Sequence, residues 1–137
     1  MFKRIRYFSV AVTDLEEGMA RYEKLFGMKK MTEPNVQRWG FKGVMLGNGE
    51  DRMIEMIQPT DPDSALARFM KERAIPSNPN GEGVYLVSVE VDDIKETVKQ
   101  IQDAGGRVTL DEQSPNTAWV HPTTSNFAFM ELSQPSE

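Results

Sequence analysis

Polar and apolar residues alternate along the start of the chain, with Phe8, Val10 and Val12 on one side and Tyr7, Ser9 and Ala11 on the other. A period of two predicts a β-strand with one face against a core. The period then lengthens: Leu15, Met19, Tyr22, Leu25 and Phe26 fall on one side of a helix. Asp14, followed three residues later by Glu17, is an acidic N-cap with a glutamate able to reach back to it. Gly27 supplies the left-handed residue that commonly ends a helix. Short β segments are expected around Lys29–Thr32, Gly40–Leu46 and Arg52–Gln58, the last two joined through Asn48-Gly49, a dipeptide suited to tight hairpins.

The same pattern then returns. Val10-Ala11-Val12-Thr13-Asp14-Leu15 resembles Val89-Glu90-Val91-Asp92-Asp93-Ile94, an offset of 79 (89 − 10), and Gly27 falls on Gly106. Met53-Ile54-Glu55-Met56-Ile57-Gln58-Pro59 resembles Phe129-Met130-Glu131-Leu132-Ser133-Gln134-Pro135, an offset of 76 (129 − 53). Two anchors in the same order indicate an internal duplication. In the second copy Asp93 and Glu96 begin the helix, Ile94, Val98 and Ile101 form its apolar face, and Gly105-Gly106 end it. Its β segments are expected around Arg107–Leu110, Thr117–His121 and Asn126–Ser133. The reading is an α+β chain of two βαβββ modules in tandem, 1–59 and 83–137, forming curved mixed sheets around a central cleft. A connector, 60–82, carries a short helix capped by Asp61, started by Pro62 and made apolar by Leu66, Phe69 and Met70.

At 137 residues the chain fits one domain and can bury a core without covalent staples. It has no cysteine, which excludes disulfides, a thiolate nucleophile and sulfur-based zinc sites. A net charge of −5 and scattered basic residues argue against nucleic acid as a partner. The apolar run after Met1-Phe2-Lys3-Arg4 is broken at Thr13-Asp14, too early for a signal peptide. No stretch approaches the roughly 20 apolar residues of a membrane span. A cytoplasmic protein with no membrane partner is expected.

The candidate chemistry lies on the first and last strands of each module. If the helix covers Phe8, Val10 and Val12, then Tyr7, Ser9 and Ala11 are free to line a cavity, and the repeat maps them onto Leu86, Ser88 and Glu90. Glu55 shares a strand face with Met53 and Ile57, and Glu131 with Phe127 and Phe129. A glutamate among apolar neighbours is unusual for a solvent face. Enclosure raises a carboxylate's pKa and equips it for acid–base work near neutral pH. The competing reading puts both glutamates on exposed edge strands. Trp39 and Trp119 occupy comparable stretches of the two copies and suit core packing or ligand stacking. Arg38 and Arg52 suit an anionic ligand or plain solvation. His121, before Pro122 at a hairpin end, reads as structural, and Tyr85 as core.

These residues, with Tyr22…Leu25-Phe26-Gly27, Ile54-Glu55-Met56-Ile57-Gln58-Pro59, Gly83-Val84-Tyr85-Leu86-Val87-Ser88-Val89-Glu90-Val91 and Met130-Glu131-Leu132, resemble the vicinal-oxygen-chelate superfamily. That superfamily includes glyoxalase, bleomycin-resistance and dioxygenase members, and the order and spacing resemble most the methylmalonyl-CoA epimerase branch. The resemblance implies a homodimer and a divalent ion held from the first and last strands. The branch's histidine stands five residues before a valine; here that position is Tyr7, counting from Val12, and Leu86, counting from Val91. Glu55 and Glu131 match the last-strand ligand positions. Two carboxylates and water hold a hard ion such as Mg²⁺ only weakly, so no firmly bound cofactor is expected.

Three functions follow from the resemblance. The first is an isomerase- or lyase-type enzyme in which Glu55 or Glu131 moves a proton next to a carbonyl and Tyr7 hydrogen-bonds the oxyanion. The small-molecule ligand then meets Ser9, Ser88, Leu86, Trp39, Trp119, Phe129 and Arg38. The second is a drug-sequestering or ligand-sensing binder. The third is a metal-dependent lyase or isomerase with an unusual ligand set.

Overall fold

The computed structural model describes residues 1–135. In chain order the elements are β1 (Phe2–Ala11), α1 (Leu15–Phe26), β2 (Lys29–Lys30), β3 (Asn35–Gln37), β4 (Phe41–Gly47), β5 (Arg52–Pro59), α2 (Ala65–Glu72), β6 (Gly83–Val91), α3 (Ile94–Asp103), β7 (Val108–Leu110), β8 (Thr117–Val120) and β9 (Met130–Ser133). The architecture is α+β, as the alternating periods imply. No helix among the described residues is long and apolar enough to cross a membrane.

The chain divides into two compact units. Phe8–Tyr85 makes the N-terminal unit; Met1–Tyr7 joins the chain from Leu86 onward in the C-terminal unit. β1 therefore serves both, with its first half attached to the second module rather than the first.

In the N-terminal unit the strand order is β2-β4-β5-β1, with β3 pairing β4. β1 and β5 run parallel, so Ser9 lies beside Glu55 and Val10 beside Met56. β4 and β5 form the antiparallel hairpin that Asn48-Gly49 implies. The Asn48 side chain accepts from the N–H groups of Glu50 and Asp51, and Gly49 takes φ 100. The core under α1 contains Val10, Val12, Leu15, Val44, Leu46 and Met56. α1 comes close to β5 because Gly18 has no side chain; a Cβ there would lie 2.6 Å from the Met56 sulfur. Met19 and Tyr22 pack against this core. Leu25 and Phe26 do not complete the expected face: each is 62 % exposed, because α1 ends at Gly27 beyond the sheet contact.

The other face of this sheet is not left open along its length. Ala11, Phe41 and Ile57 form a second core with Leu66 and Met70 of α2, joined by Phe69 and Tyr85. The connector thus covers the strand face that alternation alone marks as free. Its helix also starts later than expected. Ser64 caps α2 through the Ala67 N–H, while Asp61 closes the preceding turn onto Asp63.

Tyr85 stacks edge-on against Phe69, with ring centroids 4.8 Å apart, in the same core. Burial raises its phenol above the ordinary 10.0, against a smaller lowering by Arg68. The folded chain then holds this proton at a pH where the unfolded chain releases it, so stability falls as pH rises past about 10. Thermal unfolding followed between pH 8 and 11 should show that loss, and Tyr85→Phe should flatten it. Equal slopes for the two proteins contradict the assignment.

In the C-terminal unit β9-β8-β7 follows β6 in order, and β6 and β9 run parallel. Val89, Val91, Ile94, Val98, Val108, Ala118, Val120 and Leu132 form its core beneath α3. The first residues of the chain lie along β6, as the Asp92 N–H to Met1 carbonyl bond of 3.2 Å records. β9 is shorter than expected. Asn126 and Phe127 take positive φ in a turn, and Phe127, 79 % exposed, does not share a strand face with Glu131.

The duplication extends to how each helix begins. Asp14 and Asp93 cap α1 and α3 by accepting the Glu17 and Glu96 N–H groups. The first helical N–H groups, of Leu15 and Ile94, are taken by the side-chain oxygens of Gln58 and Gln134, each at 2.8 Å. An amide from the last strand thus satisfies a donor that every helix start leaves open. The reach-back expected of Glu17 is replaced by an ion pair with Arg21.

Candidate functional site

Each module brings one serine and one glutamate together by strand register. Parallel pairing sets Ser9 opposite Glu55 and Ser88 opposite Glu131. The serine hydroxyls donate to Oε1 of the glutamates, Ser9 to Glu55 at 2.8 Å and Ser88 to Glu131 at 2.7 Å. Both serines are fully buried. Duplicated sequence therefore yields a duplicated Ser–Glu pair on the strand face turned away from α1 or α3.

The two pairs have different surroundings. Around Glu131, Tyr7 donates its phenol proton to Oε1 at 3.2 Å, and Arg6 Nη1 donates to the same oxygen at 3.4 Å. Arg6 Nη1 also donates to the Ser88 hydroxyl at 3.2 Å, and its guanidinium carbon lies 5.2 Å from the Tyr7 ring centre. Three donors thus converge on one oxygen. Oε2 makes no hydrogen bond among the described residues, and the Glu131 side chain is 13 % exposed. Arg6 was not among the expected site residues, because strict alternation puts it on the other face from Tyr7. Arg4 and Arg6, two residues apart, meet Glu90 and Ser88, also two residues apart, so Arg6 reaches this face beside β6.

An aromatic wall flanks this carboxylate. Trp119 on β8 is the cross-strand neighbour of Glu131. Its ring stacks on Phe129 with centroids 5.8 Å apart, and its indole N–H donates to Asp111 Oδ2 at 3.0 Å. Leu86 is buried on β6, two residues from Ser88. Beyond Ser88 on the same face comes Glu90, also buried, with Arg4 Nη2 at 3.4 Å and Lys3 Nζ at 3.7 Å. The basic residues are thus less scattered than the composition suggests: Lys3, Arg4 and Arg6 meet Asp92, Glu90 and Glu131.

In the N-terminal unit Glu55 faces Met45 across the β4–β5 pair. Met45 therefore stands where Trp119 stands in the second module. Trp39 is not the counterpart of Trp119: it precedes β4 in a turn, 39 % exposed. There it stacks on the core residue Phe41 at 5.9 Å, with the Arg38 guanidinium 4.2 Å over its ring. That sandwich fastens the turn to the core. His121 also serves a turn, its Nδ1 accepting the Thr123 N–H at 3.2 Å and pairing with the Thr123 hydroxyl.

The donor set does not suit a firmly held divalent ion. Among the described residues no three His, Cys, Asp or Glu side chains come together as a metal cluster. Glu131, one of the matched ligand positions, has its Oε1 engaged by a guanidinium, whose positive charge opposes a cation held beside it. Leu86 offers no lone pair. An open depression of about 580 Å³ does occur in the C-terminal unit, lined in part by Gln100, Ile101, Gly105, Arg107 and Thr124. It lies at the end of α3 and contains none of the expected site residues.

Known proteins resemble the chain over almost all its length. The sequence profile of the Glyoxalase/Bleomycin resistance protein/Dioxygenase superfamily matches residues 8–123. The mitochondrial methylmalonyl-CoA epimerase of Dictyostelium discoideum is 26% identical over 136 residues, covering 96% of this chain and 78% of its own. The ethylmalonyl-CoA/methylmalonyl-CoA epimerase of Cereibacter sphaeroides is 25% identical, covering 98% and 99%. Among solved structures, methylmalonyl-CoA epimerase from Mycobacterium tuberculosis has a TM-score of 0.82 at 20% identity, covering 99% of this chain and 90% of its own. At that identity the likeness carries the fold.

Proposed function

This chain belongs to the glyoxalase/bleomycin resistance protein/dioxygenase superfamily, and from that membership and the Glu131 cluster we propose that it is an epimerase-type enzyme working without a firmly bound metal. Its substrate is a short acyl thioester with a carboxylate on the carbon next to the thioester carbonyl, the class to which methylmalonyl-CoA belongs. The named activities of its relatives support that choice.

One observation carries the reading. Glu131 holds Oε1 against Ser88, Tyr7 and Arg6, which fixes the carboxylate, while Oε2 keeps its lone pairs for a proton. A general base needs that combination of fixed direction and an unengaged acceptor. In the reaction Oε2 removes the proton next to the carbonyl. The C–H electron pair moves to the thioester oxygen, giving an enolate. As Glu131 takes the proton it loosens its hold on the Tyr7 hydroxyl, which turns its own O–H to that oxygen. Water gives a proton to the opposite face of the planar carbon, which completes the inversion, and the hydroxide left behind is neutralised by the proton that Glu131 returns to solvent. Trp119 and Phe129 supply an apolar wall beside the carboxylate.

The test is stereochemical. A single C2 epimer of methylmalonyl-CoA incubated with the protein in excess EDTA should become a mixture of both epimers, followed by chromatography that separates them. Recovery of the unaltered epimer after long incubation overturns the proposal and leaves a ligand-binding protein of this fold.

A further inference from the structure

We infer that Arg6 is the anion anchor of this site, binding the substrate carboxylate through the donors that the described residues leave unused. The inference rests on the proposed role of Glu131 and extends it to the group that recognises the substrate. Arg6 is held from two directions: Nη1 donates to Ser88 and Glu131, and the guanidinium plane lies by the Tyr7 ring. Nε and Nη2 make no hydrogen bond among the described residues, and the side chain is 36 % exposed. A guanidinium donates through a planar fork, and two parallel N–H groups match the two oxygens of a carboxylate. Nε and Nη2 form such a fork.

The neighbouring cations behave differently. Lys3 and Arg4 are directed to Glu90, a buried carboxylate that needs their charge. Arg6 is locked at one nitrogen beside the proton carrier and open at the others. A carboxylate bound there puts the adjacent carbon near Glu131, and its charge is balanced by the guanidinium rather than by a metal ion. Enolate formation next to a carboxylate accumulates negative charge, so a fixed cation at that place lowers the barrier as well as binding the substrate. Ammonium in place of guanidinium keeps the charge and loses the fork.

The probe is malonate, titrated calorimetrically in EDTA against the full chain and against Arg6→Gln and Arg6→Lys, with circular dichroism confirming that each variant folds. Arg6→Gln should weaken malonate binding about ten- to a hundred-fold, the scale of a lost charge-assisted hydrogen bond. Arg6→Lys should recover part of it. In the epimerisation assay KM should rise more than kcat falls. Unchanged malonate affinity in Arg6→Gln, or malonate binding that appears only on adding Mg²⁺, overturns the anchor. The two readings fail separately. Epimerisation by Arg6→Gln with an unaltered KM leaves the Glu131 mechanism standing and removes the anchor. Arg6-dependent malonate binding without epimerisation by any form does the reverse.

Discussion

Replacing Glu131 with glutamine is expected to lower the rate of epimerisation by about 10²- to 10⁴-fold, the usual contribution of a placed proton carrier. The amide keeps an oxygen for the Ser88 and Tyr7 donors, so the site's shape survives while its base is lost. The expected signature is a fall in kcat with substrate affinity changed far less, since the substrate carboxylate is held elsewhere. Glu55→Gln tests the division of labour between the modules. Glu55 has Met45 across the strand pair where Glu131 has Trp119. The smaller kinetic effect is expected there. A larger loss from Glu55→Gln than from Glu131→Gln reverses the assignment.

Leu132→Ala is expected to destabilise the protein by about 2–5 kcal/mol. Leu132 is fully buried, and β9 places it between Val89 of β6 and Ala118 of β8, beneath α3. The lost isopropyl group leaves a cavity among these neighbours. It is also one residue from Glu131, with its side chain on the opposite face. Urea denaturation of Leu132→Ala and Glu131→Gln therefore separates the two faces of one strand. The first should lose stability and the second activity. A loss below about 1 kcal/mol for Leu132→Ala contradicts the packing described here.

The sequence shows most of the frame because the duplication states each feature twice. Asp14 and Asp93, Gln58 and Gln134, and Glu55 and Glu131 recur at matched places, and all six occupy equivalent positions in the fold. The caps were legible, since an acidic side chain acts on a backbone N–H only three residues away. The glutamine plugs were visible as repeated letters but not as a function, because their targets lie 43 and 40 residues distant. The same limit hid the connector. Alternation says that Ala11 and Ile57 face away from α1, yet only the packed chain brings Leu66 and Met70 against them.

Within the site, period-two reasoning located Ser9, Ser88, Glu55 and Glu131 because short side chains stay on their own face. It failed for Arg6, whose partners Ser88 and Glu131 lie 82 and 125 residues away and are met only through strand pairing. It also misaligned the tryptophans. The modules differ in loop length, so Trp119 corresponds to Met45 by strand register rather than to Trp39 by its residue type. Asn126 and Phe127 carried no β-breaking signal strong enough to offset the repeat, and only their positive φ shows where β9 cannot extend.

The most direct test is the exchange of the hydrogen next to the thioester carbonyl with solvent. Methylmalonyl-CoA is incubated with the protein in D₂O containing EDTA, and the methyl signal is followed by proton NMR. The account predicts that the methyl doublet collapses as deuterium enters the adjacent carbon, at a rate cut by Glu131→Gln to near the uncatalysed background. Exchange that continues undiminished in Glu131→Gln, or exchange by the unaltered protein that requires added divalent ion, contradicts it.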